Sequence, residues 1–198
     1  MNEKPVAAVI LAAGESRRMG RPKLLLPWQN GCILDAVLDA VSAAPFDMRV
    51  LVSGACREQV EEVAGRHGVT CCYNPGFTAG QSGSLIAGLD ALPPDCAAMF
   101  LLADQPLIPA SLLERMIDAY RQTSAPILQA RAADGRVGHP VLFAPELFDE
   151  QRKVSGDVGG RTVLQAHQDD IFYVPVTDGS VWSDVDTPED YDRLRGGD

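Results

Sequence analysis

Apolar residues gather in short blocks along the first half of the chain, and the stretches between those blocks carry apolar positions at helical spacing. Val6–Leu11, Arg49–Val52, Val69–Tyr73 and Ala97–Leu102 are runs of strand length. Between them Ile33, Val37, Leu38 and Val41 share one helical face, Val60, Val63 and Ala64 share another, and Leu85, Ile86 and Leu89 repeat the pattern. Strands alternating with helices in this way predict βαβ units and a parallel sheet. A further helix is predicted from Pro109, a favoured first position, through Leu112, Leu113, Met116 and Tyr120.

The second half is less regular. Pro126–Ala130 and Val137–Phe143 read as strands separated by a turn at Ala133-Asp134-Gly135, and a glycine-rich stretch, 155–161, precedes a short helix through Val163 and Leu164. Ile171–Val176 and Ser180–Asp184 read as late strands and Pro188–Leu194 as a final helix. No internal repeat, low-complexity segment or interdomain linker interrupts the pattern. It predicts one α/β domain over residues 1–198, a Rossmann-like, doubly wound sheet that is mixed but mostly parallel.

Charge narrows the partners. Seventeen Lys and Arg against 27 Asp and Glu give a formal net charge of −10, which argues against a nucleic-acid-binding surface. No segment reaches the run of about 18 apolar residues that a membrane span needs, and the N-terminus lacks the pattern of a signal peptide; a cytoplasmic protein is expected. The five cysteines are odd in number and form no C-x-x-C pair, so neither a disulfide framework nor a zinc site is indicated. Cys71 and Cys72 fall in one predicted strand and should point to opposite faces as packing residues. His67 and His167 lie late in helices, where they suit the C-terminal dipole.

Against that acidic background, the stretch VILAAGESRRMGRPK, Val9–Lys23, collects Arg17, Arg18, Arg21 and Lys23 directly after the first strand. Ligands of open α/β sheets bind beyond the carboxyl ends of the strands. Ala13 and Gly14 allow close backbone approach to an anion, and the cations complement a triphosphate. Neither a dinucleotide G-x-G-x-x-G nor a Walker A motif is present. On charge alone, a solvated basic loop is the competing explanation.

The whole string decides between them. Leu11, Ala12, Ala13, Gly14, Ser16, Arg18, Met19, Gly20 and Lys23 match the signature loop of Rossmann-like nucleotidyltransferases of the nucleotide-diphospho-sugar transferase type, which it strongly resembles. NPGFTAGQSGSLIAGLD, with Asn74, Gly80, Ser84, Leu85 and Gly88, resembles the base-recognition region of the molybdenum cofactor cytidylyltransferases, and LLADQPLI, GHPVLF, SGDVGGR and SDVDTPEDY match further motifs of that family in order. Gln81 stands where methionine is expected, and Ala103 where glycine is common. The resemblance implies a Mg²⁺-dependent transfer of CMP from CTP to the phosphate of molybdopterin, with pyrophosphate released and a molybdenum hydroxylase downstream as acceptor protein. Its rivals are GTP or ATP as donor, a methylerythritol or sugar phosphate as acceptor, and a non-catalytic delivery protein.

The resemblance also distributes roles. Lys23 would meet the α-phosphate and Arg18 the β- and γ-phosphates, while Arg17 and Arg21 fall on variable positions. Leu11, Ala12, Ala13, Gly14, Ser16, Gly80 and Ser84 would hold the nucleotide, and the L-A-A-G form goes with a pyrimidine. Asp104 ends an apolar run, and an ionised carboxylate there needs a partner. Helix capping is one role for it, although Pro106 and Pro109 intervene before the next helix; Mg²⁺ is the other. Asp184 and Asp186, two residues apart, would share a face and supply the second carboxylate, Asp184 foremost, with Asp186 a ligand or a capping residue. Glu189 and Asp190 suit the first turn of the last helix. His139, Asp157 and Arg161 are the acceptor-side candidates, His139 being equally explained as structural.

Overall fold

The computed structural model describes residues 4–153, 156 and 160–196. Strand β1 (Val6–Ala12) leads through a loop and a two-residue-per-strand hairpin, β2 (Pro27–Trp28) and β3 (Gly31–Cys32), into helix α1 (Ile33–Ala43). Then follow β4 (Met48–Ser53), α2 (Arg57–Arg66), β5 (Thr70–Tyr73), α3 (Gln81–Asp90), β6 (Ala97–Leu102) and α4 (Ala110–Thr123). The second half contributes β7 (Ile127–Ala132), β8 (Val137–Phe143), the single turn α5 (Phe148–Gln151), α6 (Arg161–Ala166), β9 (Ile171–Val176) and α7 (Pro188–Gly196). None of the described helices is long and apolar enough to cross a membrane.

Seven strands form one sheet in the order β5-β4-β1-β6-β8-β7-β9. β1 pairs in parallel with β4 and β6, β4 with β5, and β7 with β9, whereas β8 runs antiparallel to both β6 and β7. The expected mixed, mostly parallel α/β sheet is therefore what forms. The chain moves outward from β1 through β4 to β5 and then returns to place β6 on the other side of β1. That reversal opens a crevice at the carboxyl ends of β1 and β6.

Both faces of the sheet are covered, which explains why its central strands read as continuous apolar runs. Ile10, Leu51, Met99 and Leu101 face a core with Leu34 and Val37 of α1, Val60 of α2 and Leu113 and Met116 of α4. Their strand neighbours Val9, Val52 and Phe100 face the opposite core with Leu85 and Leu89 of α3, Phe143 and Val163. Cys71 and Cys72 split between the two faces in the same way. Phe100 and Phe143 meet edge to face across the β6–β8 pair, ring centroids 6.1 Å apart. Gly88 lets α3 lie directly on β1: a Cβ at that position would come within 2.4 Å of Val9 Cγ1.

Helix α1 is tied to the end of α2 by Asp35. Its carboxylate accepts the Cys32 backbone N–H at 2.9 Å and contacts His67 Nε2 at 2.9 Å, with Arg66 also in reach. Burial pushes the Asp35 carboxyl up, but the hydrogen bonds from His67, Cys32 and Arg66 outweigh it and hold it well below the usual carboxylate range.

The late segment departs from expectation. Ser180–Asp184 is not a strand; Gly179–Trp182 winds a single 3-10 turn, started by the Asp178 side chain accepting the Ser180 N–H at 2.9 Å. An aspartate followed by Gly-Ser competes for the backbone locally and bends it before any strand pairing can form. Pro109 precedes α4 as its N-cap and does not open its first turn. At α7, Thr187 and Asp190 cap each other reciprocally: Asp190 Oδ2 accepts the Thr187 N–H at 3.1 Å, and Thr187 Oγ1 accepts the Asp190 N–H at 3.2 Å.

Candidate active site

The crevice is a cavity of about 590 Å³. Its walls come from the loop after β1, the start of α3, the end of β6 and the segment before α7. Leu11, Ala12, Ala13, Gly14, Ser16, Arg18, Lys23, Gly80, Ser84, Asp104, Asp184 and Asp186 all line it.

Ser16 organises the β1 loop. It adopts a positive φ of 53°, its carbonyl accepts the N–H groups of Met19 and Gly20 at 3.1 Å each, and its hydroxyl accepts the Lys23 N–H at 3.2 Å. Met19 and Leu24 insert into the core and pin the loop at two points. The loop is thus polar outward and anchored inward, and Lys23 leaves it at a fixed place. Arg17 is exposed and paired with Glu15 at 2.7 Å.

Lys23 is the electrostatic centre. Its ammonium lies 2.5 Å from Asp104 Oδ2 and 2.8 Å from Asp186 Oδ1, and the Arg18 guanidinium reaches the other oxygen of Asp186 at 2.6 Å. Burial pulls the Lys23 pKa down, but the two aspartates outweigh it and raise it above the usual lysine value. Asp104 is placed by β6, whose ladder continues through Ala103 N–H to Leu11 O at 3.2 Å; its own carbonyl accepts the Val185 N–H at 3.1 Å, which draws the Asp184–Asp186 segment onto the strand end.

The two late carboxylates have different company. Asp186 sits opposite Asp104 across the Lys23 ammonium, whereas Asp184 Oδ1 accepts a 2.8 Å hydrogen bond from Gln105 Nε2. Burial pushes the Asp184 carboxyl up, the Gln105 hydrogen bond offsets part of that, and the charges of Asp104 and Asp186 push it further. Gln105 is only 3% exposed, and its Oε1 is buried without a partner. Sequence reasoning gave this residue no role, although it directly follows Asp104.

Hard oxygen donors of this kind suit Mg²⁺, which takes one or two carboxylates and completes its shell with water and phosphate oxygens. Asp104 and Asp186 fit: both reach a single point, the one occupied by the Lys23 ammonium. Among the described residues no group of three His, Cys, Asp or Glu forms a ready-made metal cage. A cation held by these two carboxylates would take its remaining ligands from water or from a bound molecule.

On the other side of the cavity, Gly80 (φ 114°) turns the chain into α3 and presents Ser84 on the first turns of the helix. Ala13 is buttressed from behind: its carbonyl accepts the Ala55 N–H at 3.2 Å, and a Cβ on Gly54 would fall 2.6 Å from that carbonyl.

The acceptor-side candidates lie apart. His139 Nδ1 contacts the Phe100 carbonyl at 3.2 Å, and its own carbonyl accepts from Trp182 Nε1 at 2.6 Å. Burial lowers its pKa; the Phe100 hydrogen bond and the charge of Asp104 oppose that shift, and Arg161 adds to it, so His139 sits within electrostatic reach of both charged groups. Neither His139 nor Arg161 belongs to the cavity wall. Asp157 lies outside the described residues.

A doubly wound sheet with cations and carboxylates at its switch point is the architecture of a nucleotidyltransferase. The MobA-like NTP transferase domain matches residues 8–171, and the chain belongs to that family. It is 28% identical to the molybdenum cofactor cytidylyltransferase of Escherichia coli K12, over 94% of this chain and 93% of that one. The purine catabolism protein PucB of Bacillus subtilis 168 is 26% identical, over 98% of each. The crystal structure of Rv0371c from Mycobacterium tuberculosis H37Rv superposes with a TM-score of 0.86 at 32% identity, covering 98% of this chain and 100% of that chain. Rv0371c is also known as a complex with manganese, to which this chain is 31% identical with a TM-score of 0.83.

Proposed function

We propose that the protein transfers CMP from CTP to the phosphate of molybdopterin or the molybdenum cofactor and releases pyrophosphate. The observation that carries this reading is the half-buried Lys23 ammonium between Asp104 and Asp186, at the switch point of the sheet and beside a loop that also carries Arg18. An anionic oxygen of the acceptor phosphate attacks the α-phosphorus in line. The new P–O bond forms as the bond to the bridging oxygen toward the β-phosphorus breaks, and that electron pair leaves with pyrophosphate. The attacking oxygen is already ionised at neutral pH, so no general base is needed.

The chain's part is positioning and charge neutralisation. Lys23 moves from its aspartates onto the α-phosphate, and Arg18 takes the β- and γ-phosphates. The backbone from Leu11 through Ser16 cradles the nucleotide, with Ala12, Ala13, Gly80 and Ser84 at the base and ribose. Asp104, with Asp186 and Asp184, would hold Mg²⁺, which when bound offsets negative charge on the α-phosphate and the departing pyrophosphate. Arg161 and His139 serve the acceptor side, Arg161 as a donor to the pterin phosphate. A molybdenum hydroxylase would receive the product.

The test is a thermal-shift panel of CTP, GTP, ATP and UTP, each with and without Mg²⁺, followed by pyrophosphate release with molybdopterin. A ligand at about 100 times its Kd stabilises by about 2.7 kcal/mol, and the expected result is a shift for CTP that Mg²⁺ enlarges. A larger GTP or ATP shift would replace the base and keep the reaction. Pyrophosphate release only with a methylerythritol or sugar phosphate would replace the acceptor. Binding without any pyrophosphate release would make the protein a delivery module.

A further inference from the structure

Asn74 follows β5 and continues its pairing, its backbone N–H donating to the Ser53 carbonyl at 2.9 Å. Its side chain is buried, 6% exposed, and Oδ1 accepts the Gly76 backbone N–H at 2.9 Å. A backbone N–H can only donate, so the atom facing Gly76 is the oxygen and the orientation of the amide is settled. The amide nitrogen consequently faces Ser84, donating to Oγ at 3.0 Å. Gly83 makes room for this contact, since a Cβ there would lie 3.3 Å from the Asn74 nitrogen.

Ser84 has one proton to give and lone pairs to receive with. One lone pair is taken by Asn74, and among the described residues the hydroxyl has no acceptor of its own, not even the carbonyl one turn back that helical serines commonly use. Ser84 is 6% exposed and lines the cavity beside Ala12, Ala13 and Gly80. A buried donor left without a partner is unfavourable, so the site is built for a ligand atom that accepts.

We infer that Asn74 is a positioning residue that fixes the Ser84 hydroxyl as a hydrogen-bond donor toward an acceptor atom of the nucleotide base. Cytosine presents O2 and N3 side by side as acceptors; guanine presents N1–H and the N2 amino group as donors on its corresponding edge. This inference rests on the nucleotide-binding reading and adds to it the direction of one hydrogen bond and the residue that sets it.

Asn74→Asp tests it by reversing that direction. One carboxylate oxygen keeps the Gly76 hydrogen bond, while the other can only accept, so the Ser84 proton turns inward and a lone pair faces the base. Binding of CTP and of ribose 5′-triphosphate, which has the same phosphates and no base, is measured by calorimetry on the intact protein with Mg²⁺. The expected result is a loss of about tenfold or more for CTP, no change for ribose 5′-triphosphate, and no additional loss when Asn74→Asp is introduced into Ser84→Ala. Should Asn74→Asp fail to fold, Ser84→Ala alone should weaken CTP several-fold and leave ribose 5′-triphosphate untouched. Equal losses for both ligands, or an undiminished effect of Asn74→Asp in the Ser84→Ala background, overturn the inference, as does a CTP affinity indifferent to Ser84. A wild-type protein that binds neither ligand overturns the nucleotide site itself.

Discussion

On the proposed reading, the two halves of the cleft, one for the phosphates and one for the base, are prepared for their ligand in opposite ways. In the phosphate half, Lys23, Arg18, Asp104 and Asp186 satisfy one another, with contacts of 2.5 to 2.8 Å. In the base half, Asn74 and Ser84 are locked by local hydrogen bonds and leave one donor unused. A ligand in the first half would have to replace existing ion pairs, whereas one in the second would meet a donor that is already oriented.

The largest expected effect comes from breaking the phosphate half. Lys23→Met should lower turnover by about 10²–10³-fold, the usual scale for removing a group that stabilises transition-state charge. The same change frees Asp104 and Asp186, so Mn²⁺ binding without nucleotide, followed by electron paramagnetic resonance, should tighten. Near-normal turnover would remove the reaction from this half of the cleft.

Gly88→Ala sharpens the comparison from the other side, because α3 carries the base half and rests on Val9. The added methyl has to displace the helix or the valine, and overpacking of this sort costs about 1–3 kcal/mol. Urea unfolding should show that loss, and CTP affinity should fall with it while Mn²⁺ binding stays the same.

The smallest effect is expected far from both halves. Asp35→Ala removes the link between α1 and α2 and should cost about 1–2 kcal/mol at neutral pH without altering nucleotide binding. Asp35 has a depressed folded-state pKa, so its contribution is full above the ordinary carboxylate range and lost as pH falls toward the folded value. The stability gap between wild type and variant, measured by denaturation at pH 7 and pH 3, should narrow at the lower pH.

Much of this was legible in the chain because charges end apolar runs at the cleft. Asp104 stands out just past the end of a buried strand and Lys23 at the far end of the polar loop that follows another, and the helices between the strands show their buried faces in the spacing of Val37, Leu38 and Val41 or Leu85 and Leu89. The partner of each aspartate was not legible. Two-residue spacing suggested a common role for Asp184 and Asp186, but alternation holds only in regular extended chain. Residues 183–187 are neither strand nor helix, and Gln105 claims one carboxylate while Lys23 and Arg18 claim the other. The hairpin β2–β3 was missed because two residues per strand are too few to show a period. The place of β8 depends on long-range pairing that no local pattern encodes.

That reversed strand changes where variation can act. In an all-parallel sheet only the trailing ends of strands border the crevice. Here β8 runs back from it, so the tip of the β7–β8 hairpin, Ala133–Arg136, stands at the same rim as the loop after β1. Residues added to that tip would lengthen the carboxyl edge of the sheet without shifting the register of any strand beneath. The edge is thus adjustable in one direction: its height can change while the pairing that carries the cavity floor stays as it is.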